Sequence, residues 1–379
     1  MHVLIAFDKF KDALTGGAAG EAVAGALREK HPGWTLDLCP LTDGGEEFCE
    51  ILTRTSGGEF RATTVAGPHG AAVSAPAGFV AWERIPAAAR ARLPVDQTGT
   101  LAVVDLASAS GLGQLPPSQR DPWHTATRGT GDLLRFAAQE RAGAILLGVG
   151  GSATNDLGLG ALAALGFRFL DAAGAVIAVP VPATWERISR IDPSGAVPLP
   201  PILIACDVTN HLLGPRGATA TFGPQKGLRT GDVPLLEAQA ARMAALLCEA
   251  CGRPLALADT PGAGAAGGIA FGLMVAFGAR LVPGFDLVSD WLELPARLAA
   301  ADLIITGEGR FDATSLTGKG PGSLLREARR LGKSAHVFAG SLGVPEDSAH
   351  HAITPHGLPL AAALPRTAEF LAAAVRHHL

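Results

Sequence analysis

The run Ala144-Ile145-Leu146-Leu147, followed by Gly148-Val149-Gly150-Gly151-Ser152-Ala153-Thr154-Asn155-Asp156, decides how this 379-residue chain is read. Its first four residues have the apolar character and length of a buried strand. Residues 157–165, small and apolar, predict a helix. Glycines at a strand-to-helix turn let the backbone approach a ligand closely, and a helix start offers N–H groups to an anion. Ser152, Thr154, Asn155 and Asp156 add hydroxyl, amide and carboxylate groups, the chemistry of a phosphate or sugar-acid site. The same residue types cap helices, so this turn taken alone supports a capped glycine turn equally well.

Working outward, the chain repeats this strand–polar turn–helix arrangement. Apolar residues 3–7 predict a strand, and Asp8-Lys9-Phe10-Lys11 follows it. A helix is expected over 15–29, with Thr15 as its cap and Ala22, Val23, Ala26 and Leu27 at helical spacing. A second strand over 35–41 ends in Thr42-Asp43-Gly44-Gly45-Glu46-Glu47, and a helix follows to about residue 53. Residues 60–80, around Gly67-Pro68-His69-Gly70, predict a β-hairpin, and 83–100 an excursion. Strands are expected at 101–105, 202–205 and 301–305, and a hairpin around Asp171–Gly174, with loop over 180–199. The tail reads as strand, helix, strand, helix.

The two ends are thus regular and the middle is rich in hairpins. The expected class is α/β in two domains. Residues 1–60 with 291–379 form a Rossmann/flavodoxin-like domain, and 61–290 an inserted mixed α/β domain, with the active site expected in the cleft between them.

Composition narrows the function. Hydrophobic residues make up 48% and charged residues 17%, and the net charge is −4. No basic cluster with interleaved aromatics is present, which disfavours nucleic acid as a partner. No stretch has the length of a membrane span, and the start lacks a secretory pattern, so cytoplasm is the expected compartment. The 48 glycines and 27 prolines are spread as turn punctuation. Cys248-Glu249-Ala250-Cys251 is a lone CxxC, read as packed free thiols. His350-His351 and His377-His378 read as surface or terminal residues.

Asp8, Asp43, Asp207, Glu308 and Asp312 all fall just beyond predicted strand ends. A carboxylate there can help hold Mg²⁺ or accept a hydroxyl proton, and each can equally be turn or cap chemistry. Lys11, Arg128, Lys226 and Lys319 lie in or beside such turns and can neutralise phosphate or carboxylate. Lys226 and Lys319 sit between glycines, in Gly223-Pro224-Gln225-Lys226-Gly227 and Thr317-Gly318-Lys319-Gly320. The run Gly262–Gly268 only loosely matches a dinucleotide fingerprint, and no Walker, protein-kinase or Gly-x-Ser-x-Gly signature occurs.

Taken together, these stretches resemble the glycerate kinase family. The resemblance rests on Asp8–Lys11, Thr42–Glu46, Ala107–Gly111, Thr127–Gly131, Gly150–Asp156, Ala205–Asn210, Phe222–Gly227, Gly262–Gly268 and Ile305–Arg310, in the family's order over nearly the whole chain. It implies transfer of the γ-phosphoryl of ATP to a hydroxyl of D-glycerate, with 2-phosphoglycerate the favoured product and Mg²⁺ the cofactor. Lys11, Asp43, Asp207 and Lys226 are the catalytic candidates, with Asp43 and Asp207 for Mg²⁺ or the general base. The binding candidates are Asp8, Arg128, Gly150, Gly151, Ser152, Thr154, Asn155, Asp156, Gln225, Gly264, Gly267, Glu308, Asp312 and Lys319. A homodimer is one assembly consistent with this reading. Glu47 departs from the family's Asp-Gly-Gly-Glu-Gly string. That departure keeps open a kinase of a related sugar acid, and a non-catalytic sensor of a phosphorylated acid is the alternative from another class.

Overall fold

The computed structural model describes residues 1–42, 44–95, 99–317, 320–345 and 348–379. In chain order the strands are β1 (His2–Phe7), β2 (Thr35–Leu38), β3 (Glu59–Ala66), β4 (Ala72–Ala81), β5 (Thr100–Asp105), β6 (Ala144–Gly148) and β7 (Arg168–Leu170). They continue with β8 (Arg190–Asp192), β9 (Ile202–Cys206), β10 (Arg280–Pro283), β11 (Leu303–Phe311), β12 (Ser334–Leu342) and β13 (His350–Ala352). The chain divides into two compact units, Met1–Asp43 with Val288–Leu379, and Gly44–Leu287.

The first unit holds a sheet of order β13-β12-β11-β1-β2, parallel throughout. Renumbered within the unit this is the flavodoxin-like order 2-1-3-4-5, whose direction of winding reverses between β1 and β11. β1 is covered on both faces and accordingly reads as a continuous apolar run. Thr15 caps the helix Gly16–Lys30 by accepting the Ala18 N–H at 3.1 Å, as expected from sequence. That helix presents Ala19, Val23, Ala26 and Leu27 on one face to the core, where Leu371 and Val375 of the helix Thr367–His378 join them.

The second unit holds a sheet of order β10-β9-β6-β5-β4-β3. β10, β9, β6 and β5 are parallel, and β4 and β3 add the expected hairpin as an antiparallel edge. The parallel strands end in register, Asp105 beside Gly148 and Gly148 beside Ala205. Their polar turns therefore emerge along one edge. The helix Val233–Cys251 seals the core with Leu236, Ala240, Met243, Ala244 and Leu247.

Several sequence expectations are corrected. The expected boundary at residue 60 falls at 43, because the helix Phe48–Thr55 packs against β4 and β5, and the boundary at 290 falls at 287. β7 pairs with β8, inside the expected loop, and meets 176–179 only through a Leu170–Val176 bridge. β11 runs on to Phe311 because Gly307 in β11 and Gly340 in β12 let the two strands lie close together. The tail, among the described residues, runs strand, strand, helix without an intervening helix. His350 and His351 are buried in β13, and His351 stacks on His378 at 3.9 Å between ring centroids.

Candidate active site

At the carboxyl edge of the second unit's sheet, the turn after β6 is built around close backbone approaches. A Cβ on Gly148 would meet Gly44 O at 2.5 Å, and one on Gly150 would meet Gly45 Cα at 2.6 Å. The Gly150 N–H donates to Gly44 O at 2.9 Å. The segment 44–46 therefore crosses over this turn, and these glycines serve that crossing. Gly151 adopts φ +72°, and a Cβ there would meet the Glu46 carboxylate at 2.7 Å. An antiparallel bridge between Gly111 and Ser152 fixes the next residue, through Leu112 N–H to Gly151 O and Ala153 N–H to Ser110 O. The N–H groups of Gly151 and Ser152 have no partner among the described residues.

Beyond this point the turn dives into the core. Thr154, Asn155 and Asp156 are fully buried. The Asp156 carboxylate accepts the Thr127 N–H and Oγ1–H, both at 2.8 Å, and the Gly158 and Gly160 N–H groups, both at 3.1 Å. Burial pushes the Asp156 pKa up, and these four donors oppose the shift. Thr127 Oγ1 in turn accepts the Ala161 N–H at 2.9 Å. Asp156 thus ties the start of the helix Arg128–Gln139 to the start of Leu159–Ala164. The sequence expected the second of these helices to begin at 157.

Lys226 is buried in the same cluster, at the end of the short 3₁₀ turn Pro224–Lys226. Its Nζ donates to Ser152 Oγ at 2.8 Å and to the Thr154 carbonyl at 2.6 Å. Desolvation pulls its pKa down to about 7, against the attraction of Asp156. Asn155 Nδ2 donates to Thr219 Oγ1 at 3.1 Å, while Asn155 Oδ1 and Thr154 Oγ1 are buried without partners among the described residues. Behind them the chain makes a left-handed turn at Ala266, Gly267 and Gly268. A Cβ on Gly267 would meet Thr154 O at 2.1 Å, and one on Gly264 would meet His211 O at 2.3 Å. Gly264 and Gly267 are thus packing positions behind the site turn.

The remaining candidates in this unit stand apart from that cluster. Arg128 and Gln225 are exposed. Asp207 follows β9, and its Oδ2 accepts the Phe285 N–H at 2.8 Å at the start of the helix Gly284–Trp291. Sequence reasoning missed Asp105, a buried carboxylate at the end of β5 that accepts the Cys49 N–H at 3.2 Å and the Ser108 N–H at 2.8 Å. Burial raises its pKa, against those donors. Its signal was the one used for the other acids, a carboxylate at a strand end, and it was read as part of the strand.

The first unit places its own candidates at the winding reversal. The Asp8 N–H donates to Gly307 O at 3.0 Å, so Asp8 and Glu308 follow the paired residues Phe7 and Gly307. Asp8 Oδ1 accepts the Lys9 N–H at 2.7 Å, and Lys11 is exposed. Asp312 is a local turn acceptor: hydrogen bonds from the Thr314 hydroxyl and N–H, with Arg310 beside it, hold its pKa down to about 2. Asp43 and Lys319 lie outside the described residues. No group of three or more His, Cys, Asp or Glu side chains among the described residues is placed to hold a metal ion.

A strand–glycine turn with three donors of Gly151 and Ser152 at its mouth, backed by a buried lysine, suits an oxyanion. Comparison with known proteins gives that chemistry its context. The family model described as the glycerate kinase family matches residues 3–378. The chain belongs to this family. A glycerate kinase of Bacillus subtilis (strain 168) is 34% identical, over 98% of this chain and 95% of the relative. A glycerate 2-kinase of Escherichia coli (strain K12) is 36% identical, over 90% of this chain and 86% of the relative. A solved structure named for glycerate kinase 2 of Salmonella typhimurium LT2 aligns with a TM-score of 0.74 and 36% identity, covering 100% of this chain and 96% of that one. The α/β fold is thus shared along the whole family chain.

Proposed function

We propose that this protein transfers the γ-phosphoryl group of ATP to the C2 hydroxyl of D-glycerate, giving 2-phosphoglycerate and ADP. The observation that carries the reading is the turn Gly150–Ser152, an anion-binding arrangement closed from behind by Lys226, in a chain of the glycerate kinase family. Phosphoryl transfer asks a protein chiefly for positioning and charge neutralisation. Donors on Gly151 and Ser152 supply positioning, and the exposed Arg128 of the same unit supplies a cation for carboxylate or phosphate oxygens. The name of the Escherichia coli relative supports the C2 position.

Mg²⁺ fits the residues present. Hard carboxylate oxygens suit it, and it needs only one or two of them beside water and phosphate oxygens. Asp207, at the end of β9, is the described carboxylate we assign to it, with Asp43 as the second candidate from the sequence. When bound, Mg²⁺ neutralises phosphate charge. No described helix is long and apolar enough to cross a membrane.

Purified protein with ATP, Mg²⁺ and D-glycerate should release ADP only when D-glycerate is present. ADP release with other small hydroxy acids and none with D-glycerate would overturn the substrate. One observation favours that second reading. Glu47 stands at φ +66°, a left-handed conformation that glycine adopts without strain. A charged residue kept there, next to the Glu46 that overlies Gly151, is a departure beside the site.

A further inference from the structure

The Ser152 hydroxyl is half satisfied. Its oxygen accepts from Lys226 Nζ at 2.8 Å, yet its own proton has no acceptor among the described residues. A hydroxyl carries one proton, so the state of the lysine decides where that proton goes. As an ammonium, Lys226 can only donate, and the Ser152 proton must point elsewhere. As a neutral amine, Lys226 keeps one N–H on the Thr154 carbonyl at 2.6 Å, and its lone pair takes the Ser152 proton. The two N–H groups beside it, on Gly151 and Ser152, are likewise without partners.

We propose that Lys226 is a positioning residue whose ammonium form turns the Ser152 hydroxyl into a donor for an anionic oxygen of the bound ligand. The ligand class is a carboxylate or phosphate, and its identity as D-glycerate or nucleotide rests on the function proposed above. Three features support the assignment. Asp156, the charged group that faces Lys226, favours the ammonium. Glu46, across the turn at Gly151, leaves the open side in need of a compensating donor once an anion arrives. Arg120, whose carbonyl oxygen and Cβ lie behind Gly227, adds nothing to the Lys226 shift, which burial and Asp156 set. The lowered pKa of Lys226 places the change of state near neutral pH.

The test is calorimetric binding at pH 6 and pH 9 of three separate probes, D-glycerate, ADP and inorganic phosphate, to wild type, Ser152→Ala and Ser152→Thr. Melting curves confirm that each variant is folded. ADP and phosphate titrate in this range themselves, so the readout is the ratio of wild-type to Ser152→Ala affinity. For the probe that contacts Ser152, this ratio should be about tenfold at pH 6 and close to one at pH 9, the size expected for one hydrogen bond to a charged group. Ser152→Thr, which keeps the hydroxyl, should behave as wild type. The probe showing the effect separates carboxylate from phosphate. The expected ratio for inorganic phosphate, with no binding of D-glycerate or ADP, upholds the inference and overturns the glycerate kinase reading. A ratio unchanged between the two pH values for every probe overturns the inference. So does a ratio that grows at pH 9, which would make Lys226 a base toward Ser152.

Discussion

The two units use similar sequence motifs in opposite ways. In the first unit the motif residues Asp8, Lys11, Glu308 and Asp312 are partly or fully exposed at the end of a parallel sheet. In the second, Thr127, Thr154, Asn155, Asp156 and Lys226 are buried and bonded largely to one another. Polar residues at strand ends therefore fall into two groups, those open to solvent and those holding the turns together, and burial separates the groups. An unsatisfied buried group costs far more than an exposed one, so the second unit should be the more fragile to single polar changes.

The sharpest way to break this comparison is to remove one acid from each unit. Asp156→Ala leaves the Thr127, Gly158 and Gly160 N–H groups buried without an acceptor and should cost roughly 3–5 kcal/mol in denaturant unfolding. Asp312→Ala, at an exposed turn, should move the midpoint several-fold less. Equal losses would sink the contrast.

Glycine substitutions come next. Gly148→Ala drives a methyl against Gly44 O and the Phe48 ring and should destabilise by about 1–3 kcal/mol, with loss of activity. Gly25→Ala lies in the helix Gly16–Lys30 with nothing within 4 Å of the new Cβ, and should stabilise by roughly 0.5–1 kcal/mol. Thermal melts of the pair check both signs.

This glycine result also marks where the sequence was legible. Most strands and helices, the Thr15 cap and the β3–β4 hairpin follow from local patterns, and so do the positions of the polar turns. The reason for the glycines does not. They were read as room for a ligand, whereas Gly148 and Gly150 make room for residues 44–46, a pairing distant in sequence. The β7–β8 ladder and the burial of His350 and His351 are non-local for the same reason. Gly307 and Gly309 looked like a turn because glycine is common there, yet parallel pairing of Gly307, Glu308 and Arg310 with β12 carries the strand through them. Of the candidate acids, Asp156 was found by its motif, yet nothing local reveals four buried donors converging on it.

The pH dependence of stability sharpens the comparison further. Lys226 titrates near 7 when folded and near the ordinary lysine value of about 10.4 when unfolded. Between those values the unfolded chain binds the extra proton, so stability should rise with pH across that window. Lys226→Met should abolish that slope. A slope that persists in the variant would assign it to another group.

The smallest expected effect belongs to the first unit. Burial, with His378 adding to it, lowers the pKa of His336, whose Nδ1 lies 2.9 Å from His351 Nε2. The neutral ring is favoured in the folded state, so stability is present above the ordinary histidine value and falls as pH drops through the folded one. His336→Phe should flatten the acid limb of the melting temperature below about pH 6.5 by a few degrees at most. An unchanged limb would remove His336 from the account.

The central claim is phosphoryl transfer to the C2 hydroxyl of D-glycerate. The most direct test is a proton-coupled phosphorus NMR spectrum of the product formed from ATP, Mg²⁺ and D-glycerate. The account predicts an ester resonance split into a doublet by the single proton on C2. A triplet from the two protons of C3, or no glycerate ester beside the ADP signals, would contradict it.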